Sequence, residues 1–285
     1  MSDKPAPNVL ELLNSCTDYL QKRGIESPRL NAELLLAHVL EKRRLDLYLE
    51  FDRPLYEQVL APMRDLLRKR GEGLPLQHLV GSVDFLGASY RCDARALVPR
   101  PETERMAELT LAKRGNPPPA RVLELGVGSG VITGALARKW TDCRFVAVDQ
   151  SRDALDLAAV NFEKLELCER IDLLESDGFS SVTGTFDLII SNPPYIATTE
   201  IATLSKEVRH DPVVALDGGP NGTELPVRWI AEAVPFLQPG GWLILEHGDG
   251  QSALLQEALL AHGYHSIEAV ADYQETLRFL FASHG

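Results

Sequence analysis

The residues SNPPY at 191–195 follow directly on the apolar run FDLII. A strand that ends on an amide side chain and two prolines places that amide rather than merely reversing the chain. Asn192 offers its side-chain carbonyl as a hydrogen-bond acceptor. The backbone carbonyl of Pro193 is a second acceptor, and the rigid prolines fix its direction. Two acceptors so placed can hold both hydrogens of an NH2 group, with Pro194 and Tyr195 packing against the flat group that carries it. An amide or aromatic amine is a poor nucleophile because its lone pair is delocalised. Drawing both N–H bonds onto acceptors favours positive charge developing on nitrogen. Asn192, Pro193 and Tyr195 are therefore the candidate catalytic residues, and Asn192, Pro193, Pro194 and Tyr195 the candidate substrate-binding ones.

Further upstream, ELGVGSG at 124–130 supplies a turn containing Gly126, Val127, Gly128, Ser129 and Gly130. Glycines there permit a tight turn and a close backbone approach to a ligand. Asp149 ends the next strand, about 20 residues on, where a carboxylate can accept two ribose hydroxyls. Together they indicate a nucleoside-bearing cofactor without choosing which one. The dinucleotide fingerprint is G-x-G-x-x-G. Here the third glycine comes one residue early, at Gly130, and Val131 occupies the dinucleotide position. The E-x-G-x-G-x-G form resembles that of class I methyltransferases, which use S-adenosylmethionine. After the following strand, Asp177 could accept a hydrogen bond from an adenine amino group, and Phe179, beyond Gly178, could pack on the ring. Asn192 closes the candidate cofactor set. With a methyl donor already activated, positioning supplies most of the catalysis. No general base is obligatory, because the product proton becomes acidic once nitrogen carries its fourth bond.

These residues need strand ends to hold them, and the pattern provides them. RVLELG, RFVAVD, RIDLLESD, FDLIISN and GGWLILEHG read as strands, and LRFLFAS as a terminal one. VITGALARKW, ALDLAAVNFEKL, residues 228–237 and LLQEALLAHG read as helices. Strands joined by helical crossovers predict a mostly parallel sheet covered on both faces, with ligands beyond the strands' carboxyl ends. Before this lies a helical stretch. Val9, Leu12, Leu13, Cys16 and Leu20 recur at helical spacing up to Gly24. Ser27 and Pro28 read as cap and first turn of a second helix carrying Leu30, Leu34, Leu35 and Val39. Pro54 reads as the start of a third, with Arg64, Arg68, Lys69 and Arg70 facing water. VDF and SYRC around Gly87 predict a β-hairpin. PRPETE then begins a helix whose Glu102 and Glu104 suit its positive end. The expected domains are 1–75, helical; 76–100, a hairpin linker; and 101–285, the sheet domain.

The formal net charge of −12 disfavours non-specific attraction to a phosphate backbone. The four cysteines are scattered, with no metal or redox spacing, and read as reduced thiols in a cytoplasmic protein. The N-terminal MSDKPAPN has no basic region followed by an apolar stretch, so no signal peptide is expected. No run approaches the roughly 20 apolar residues of a membrane span. His210 beside Asp211 reads as structural, in a loop that covers the cleft. Glu246 and His247 read as strand-end contacts outside the site.

The chain resembles the release factor glutamine methyltransferases over nearly its full length. The likeness includes NAELLL (31–36), LPLQHLVGSVDFLG (74–87), ALVPRPETE (96–104), ELGVGSG, VAVD, SNPPYI, HDPVVALDGGPNG (210–222) and LILEHGDGQ (243–251). The resemblance implies an α/β fold of the class I methyltransferase (Rossmann-like) type, with a small N-terminal helical domain joined by a β-hairpin. It implies methyl transfer from S-adenosylmethionine, leaving S-adenosylhomocysteine, to the glutamine of the Gly-Gly-Gln tip of class 1 peptide chain release factors. Residues 1–75 would dock the release factor away from that tip. A monomer without membrane, metal or stable nucleic-acid binding is expected. Alternatives are a ribosomal-protein glutamine, an adenine amino group in nucleic acid, or a binding module that has kept only the fold. Three departures from the family stand out. Gly178 replaces an aromatic residue found in some members, Asn31 stands where an acid is usual, and ADYQETLRF (271–279) lacks a Gly-Arg-rich ending.

Overall fold

The computed structural model describes residues 6–285. The chain forms two compact units, one of residues up to Gly81 with Lys206–His210, the other of Ser82–Ser205 and Asp211–Gly285. Among the described residues no helix is long and apolar enough to cross a membrane.

The first unit holds α1 (Val9–Lys22), α2 (Pro28–Val39), α3 (Glu57–Gly71) and the short α4 (Leu76–Val80). Asn8 caps α1: its side chain accepts from the Glu11 amide at 2.9 Å, and Glu11 accepts from the Asn8 amide at 3.0 Å. Leu13, Cys16 and Leu20 of α1 meet Ala32, Leu35 and Leu36 of α2 and Met63 of α3 in one apolar cluster. Three expectations are corrected. Ser27 lies at φ 48 and makes no side-chain cap; instead the Asn31 Nδ2 donates to the carbonyls of Glu26 and Ser27 at 3.0 and 3.1 Å. Pro54 pairs with Asn8 as an extended residue, and α3 starts later, at Glu57. Arg70 does not face water; it is buried, because Asn31 Oδ1, the Leu74 carbonyl and Glu207 accept from its guanidinium at 2.7, 2.9 and 2.7 Å. The remaining basic residues pair with acids of α3 and its cap: Arg64 with Glu57, Arg68 with Asp65 and Glu72, Lys69 with Asp65.

The second unit opens with the hairpin β1 (Ser82–Phe85) and β2 (Ala88–Arg91), followed by α5 (Pro101–Arg114). Of the stretch 76–100, residues 76–81 fall in the first unit and 82–100 in the second. Phe85 and Tyr90 of the hairpin enter the core of this unit. Asn161 ties it down by accepting from the Arg91 amide at 2.6 Å and donating to the carbonyls of Arg91 and Ser129 at 3.1 and 2.8 Å.

The remaining elements are β3 (Arg121–Leu125), α6 (Val131–Lys139), β4 (Arg144–Asp149), α7 (Arg152–Lys164), β5 (Ile171–Glu175), β6 (Phe186–Ser191), α8 (Glu224–Ala233), β7 (Leu237–Glu246), α9 (Ser252–Ala261), β8 (Tyr264–Ala271) and β9 (Leu277–His284). The sheet runs β5-β4-β3-β6-β7-β9-β8. Strands β3 to β7 are mutually parallel, and β9 is antiparallel to both neighbours. The strand β8 was not expected. Successive strand residues alternate between two cores. Phe145, Leu188, Ile190, Ile244 and Phe281 face α5, α6 and α7, while Leu123, Val148, Ile189, Leu243 and Leu280 face α8 and α9. Burial of both faces explains why the strands read as continuous apolar runs. The order reverses between β3 and β6, which sets a crevice beyond their carboxyl ends.

Candidate active site

The last residues of β3 and β6, Leu125 and Ser191, pair directly, and the Ser191 hydroxyl donates to the Leu125 carbonyl at 2.8 Å. The next residue on one strand is Gly126 and on the other Asn192. The glycine loop and the SNPPY turn therefore start side by side. A cleft of 690 Å³ lies over them, lined by Gly126 to Ser129, Asp149, Asp177, Gly178, Asn192 and Pro194 among others. Gly130, Pro193, Tyr195 and Phe179 are not among the lining residues.

Gly126, Gly128 and Gly130 all have positive φ, at 70, 53 and 81°, which lets the loop double back over β4. The Val127 amide donates to the Val148 carbonyl at 2.9 Å. The Asp149 carboxylate accepts from the amides of Gly128 at 3.0 Å and Ser151 at 2.9 Å. Two backbone donors thus orient it and leave lone pairs for the cleft. Burial pushes the Asp149 carboxyl up, against the pull of those amides. Glu124 accepts from the amide of Thr133 at 2.8 Å and from its hydroxyl. Burial pushes it up to about 8.

Phe179 does not face the cleft. It is 6% exposed and stacks on Phe236, ring centroids 4.8 Å apart, in the core under α8. The aromatic surface at this end is Trp229 of α8. A Cβ on Gly178 would come within 2.8 Å of the Trp229 Nε1, and one on Gly126 within 3.8 Å of its far ring edge. The indole therefore spans the two loops, and its N–H is buried without a partner. Asp177 is exposed, and one of its oxygens accepts from Arg228 at 2.9 Å.

On the opposite wall, the Asn192 Nδ2 donates to the Thr103 hydroxyl at 2.9 Å, and Thr103 donates to the buried Glu246 at 2.9 Å. The Tyr195 hydroxyl reaches the other Glu246 oxygen at 3.4 Å. Burial, and then the Glu246 charge, push the Tyr195 hydroxyl up. Sequence reasoning missed Thr103 and set Glu246 aside. The signal available was a Thr in PRPETE and a Glu ending an apolar strand.

The loop after SNPPY folds back on residues 216–219. The Ile196 amide donates to Leu216 at 3.0 Å, and the Gly218 amide donates to the Ile196 carbonyl at 2.9 Å. Asp211 accepts from the Val98 amide at 3.1 Å and from Arg100 at 2.6 Å, so it acts as an anchor. Pro212, Val213, Val214 and Ala215 then edge the cleft.

Two family models match the chain, one described as the PrmC N-terminal domain over residues 11–81, the other as the methyltransferase small domain over residues 107–214. A release factor glutamine methyltransferase of Chlorobaculum tepidum is 38% identical, covering 98% of each chain. Those of Rhodopirellula baltica and Escherichia coli are 43% and 36% identical, covering 84% and 90% of this chain and 83% and 93% of theirs. The chain belongs to the release factor glutamine methyltransferase family. Solved structures agree on the fold of such a methyltransferase. The hMettl16 catalytic domain in complex with MAT2A 3'UTR hairpin 6 matches with a TM-score of 0.59 at 18% identity, covering 77% of this chain and 82% of that one. A ribosomal protein L11 methylase from Lactobacillus delbrueckii subsp. bulgaricus matches with a TM-score of 0.51 at 20% identity, covering 68% and 85%. The family's sheet, its mostly parallel order and its flanking helices are those described above.

Proposed function

We propose that this chain transfers the methyl group of S-adenosylmethionine to the side-chain amide nitrogen of the glutamine in the Gly-Gly-Gln tip of class 1 peptide chain release factors, leaving S-adenosylhomocysteine. The observation that carries this reading is that Asn192 opens on the same cleft as Asp149 and the glycine loop, at the ends of neighbouring strands. Kinship with release factor glutamine methyltransferases along nearly the whole chain supports the substrate.

The cleft's own groups fit the cofactor. Asp149 has acceptor capacity left for ribose hydroxyls. The Trp229 N–H is a buried donor that a purine ring nitrogen would satisfy. The purine seat therefore falls to Trp229 and Gly178, with Asp177 at its rim, and Phe179 supports it from the core. When bound, S-adenosylmethionine supplies a methyl group activated by a sulfonium. The chain's part is to hold the amide. Asn192 Oδ1 and the Pro193 carbonyl accept its two N–H bonds and Pro194 walls its plane, while Tyr195, off the cleft, holds the turn through Glu246, and the positive charge growing on nitrogen is stabilised. Val213 and Val214 are exposed and apolar at the mouth. That suits a tip whose two glycines present backbone and no side chains.

The test is transfer of labelled methyl from S-adenosylmethionine to a purified class 1 release factor and to its variant with the tip glutamine changed to alanine. Label on the first alone is the expected result. Label on neither, with cofactor bound, refutes the proposed substrate and turns the search to ribosomal proteins and nucleic acid.

A further inference from the structure

We infer that Thr103 and Glu246 are positioning residues for this reaction: together they determine which edge of the Asn192 amide meets the substrate. The inference rests on the proposed role of Asn192 as acceptor for the glutamine NH2.

A threonine hydroxyl has one proton to give and two lone pairs to receive. The Thr103 oxygen lies 2.9 Å from Glu246 Oε2 and 2.9 Å from Asn192 Nδ2. Its proton goes to the carboxylate, so toward Asn192 it can only accept. The amide must therefore turn its nitrogen to Thr103 and leave Oδ1 for the cleft. An amide in the opposite orientation would offer N–H groups to a substrate that also offers N–H groups. Thr103 is 4% exposed and Glu246 1%, so bulk water does not compete for these bonds. Tyr195 donates to the second oxygen of the same carboxylate. The two residues that flank the prolines thus hang from one buried acid, Tyr195 directly and Asn192 through Thr103 of α5.

The arrangement depends on the charge of Glu246. The ionisable groups that face it are Glu102 from α5, Tyr195 after β6 and Arg278 from β9, with His247 next in the chain. Burial pushes the Glu246 carboxyl up to about 7; the Thr103 and Tyr195 bonds and Arg278 oppose the rise, and Glu102 adds to it. As a carboxylate, Glu246 only accepts, and the order of donors is fixed. Once protonated, it can donate to Thr103, whose proton is then free for Asn192 Oδ1, and the amide turns over. The productive orientation is present above about pH 7 and is lost as pH falls through it.

The experiment uses the full-length protein, a class 1 release factor and labelled S-adenosylmethionine. It measures kcat from pH 6 to 9 together with cofactor affinity by calorimetry. Thr103→Val is expected to lower kcat at least about tenfold without changing cofactor affinity, and Thr103→Ser to stay within about threefold of wild type. Wild-type kcat should rise through about pH 7, and Glu246→Gln should abolish that rise. Wild-type kcat in Thr103→Val, beside an inactive Asn192→Ala, overturns the inference. So does a loss of rate that follows a loss of cofactor affinity, or one shared equally by the Val and Ser variants. If Asn192→Ala itself turns over at the wild-type rate, the underlying role of Asn192 fails instead.

Discussion

Gly178 and Trp229 share one space: a Cβ at position 178 would sit 2.8 Å from the indole Nε1. The glycine also holds φ 55, a conformation that side chains resist. Trp229→Ala should therefore weaken S-adenosylmethionine binding about tenfold through lost aromatic packing. In a protein with Trp140 and Trp242 changed to Phe, the remaining indole fluorescence should change on titration with the cofactor. A flat titration would show that Trp229 does not touch it.

Asp149 is oriented by two backbone amides before any ligand arrives. Asp149→Ala should raise the cofactor Kd by roughly tenfold to a hundredfold, the worth of hydrogen bonds to a charged acceptor. The kcat at saturating cofactor should change far less. Calorimetry beside initial rates separates the two effects.

Glu124 is buried and pushed up to about 8, above the usual carboxyl range. The folded state favours its protonated form. The stabilisation this gives is whole below the ordinary carboxyl pKa and is lost as pH rises through about 8. In Glu124→Gln that loss should be absent. The Tm of the variant, relative to wild type, should then climb by several degrees between pH 5 and 9. A constant difference across that range would mean that Glu124 does not titrate in the fold.

The two arginines Arg68 and Arg70 are neighbours in sequence with opposite fates. Arg68 pairs at the surface, with its side chain 56% exposed, while the Arg70 side chain is 4% exposed. Arg68→Ala should cost at most about 0.5 kcal/mol. Arg70→Ala should cost about 3 kcal/mol, because Asn31 and Glu207 lose a buried partner. Urea unfolding of both variants checks the contrast.

Leu45 and Leu49, at 66% and 85% exposure, present apolar surface on the first unit. If residues 1–75 dock the release factor, Leu45→Ser with Leu49→Ser should raise KM for the whole factor about tenfold. The KM for a short Gly-Gly-Gln peptide should stay the same. Equal effects on both substrates would remove the docking role.

The parallel sheet was legible because both of its faces are buried, so each strand shows as an unbroken apolar run ending in a residue of distinct chemistry. Asp149 and Asn192 could be placed at strand ends for that reason. Strand β8 could not. It is an edge strand with two register shifts, and of its residues only Tyr264 is fully buried, so no alternation marks it. Phe179 was assigned to the cleft by its nearness to Asp177 in sequence, but its ring goes to Phe236. Trp229 lies about 50 residues beyond Gly178 along the chain, and nothing local ties the two. The bond between Thr103 and Glu246 spans 143 residues and arises from the packing of α5 against β7. Arg70 looked like one more solvated charge, since its burial depends on Asn31 and Glu207, which lie far from it in the sequence.

The pairing of Ile196 with Leu216 and Gly218 ties together the two ends of the chain between them. A loop closed at its base tolerates changes of length cheaply, at about 0.6 kcal/mol for each doubling. Between those ties Glu207 pairs with the buried Arg70, and Asp211 with Val98 and Arg100, so changes of length are cheap only in the stretches outside these anchors, where the knot beneath stays tied and Asn192 keeps its register. Natural selection can therefore alter what enters the cleft without moving Asn192 from its strand end.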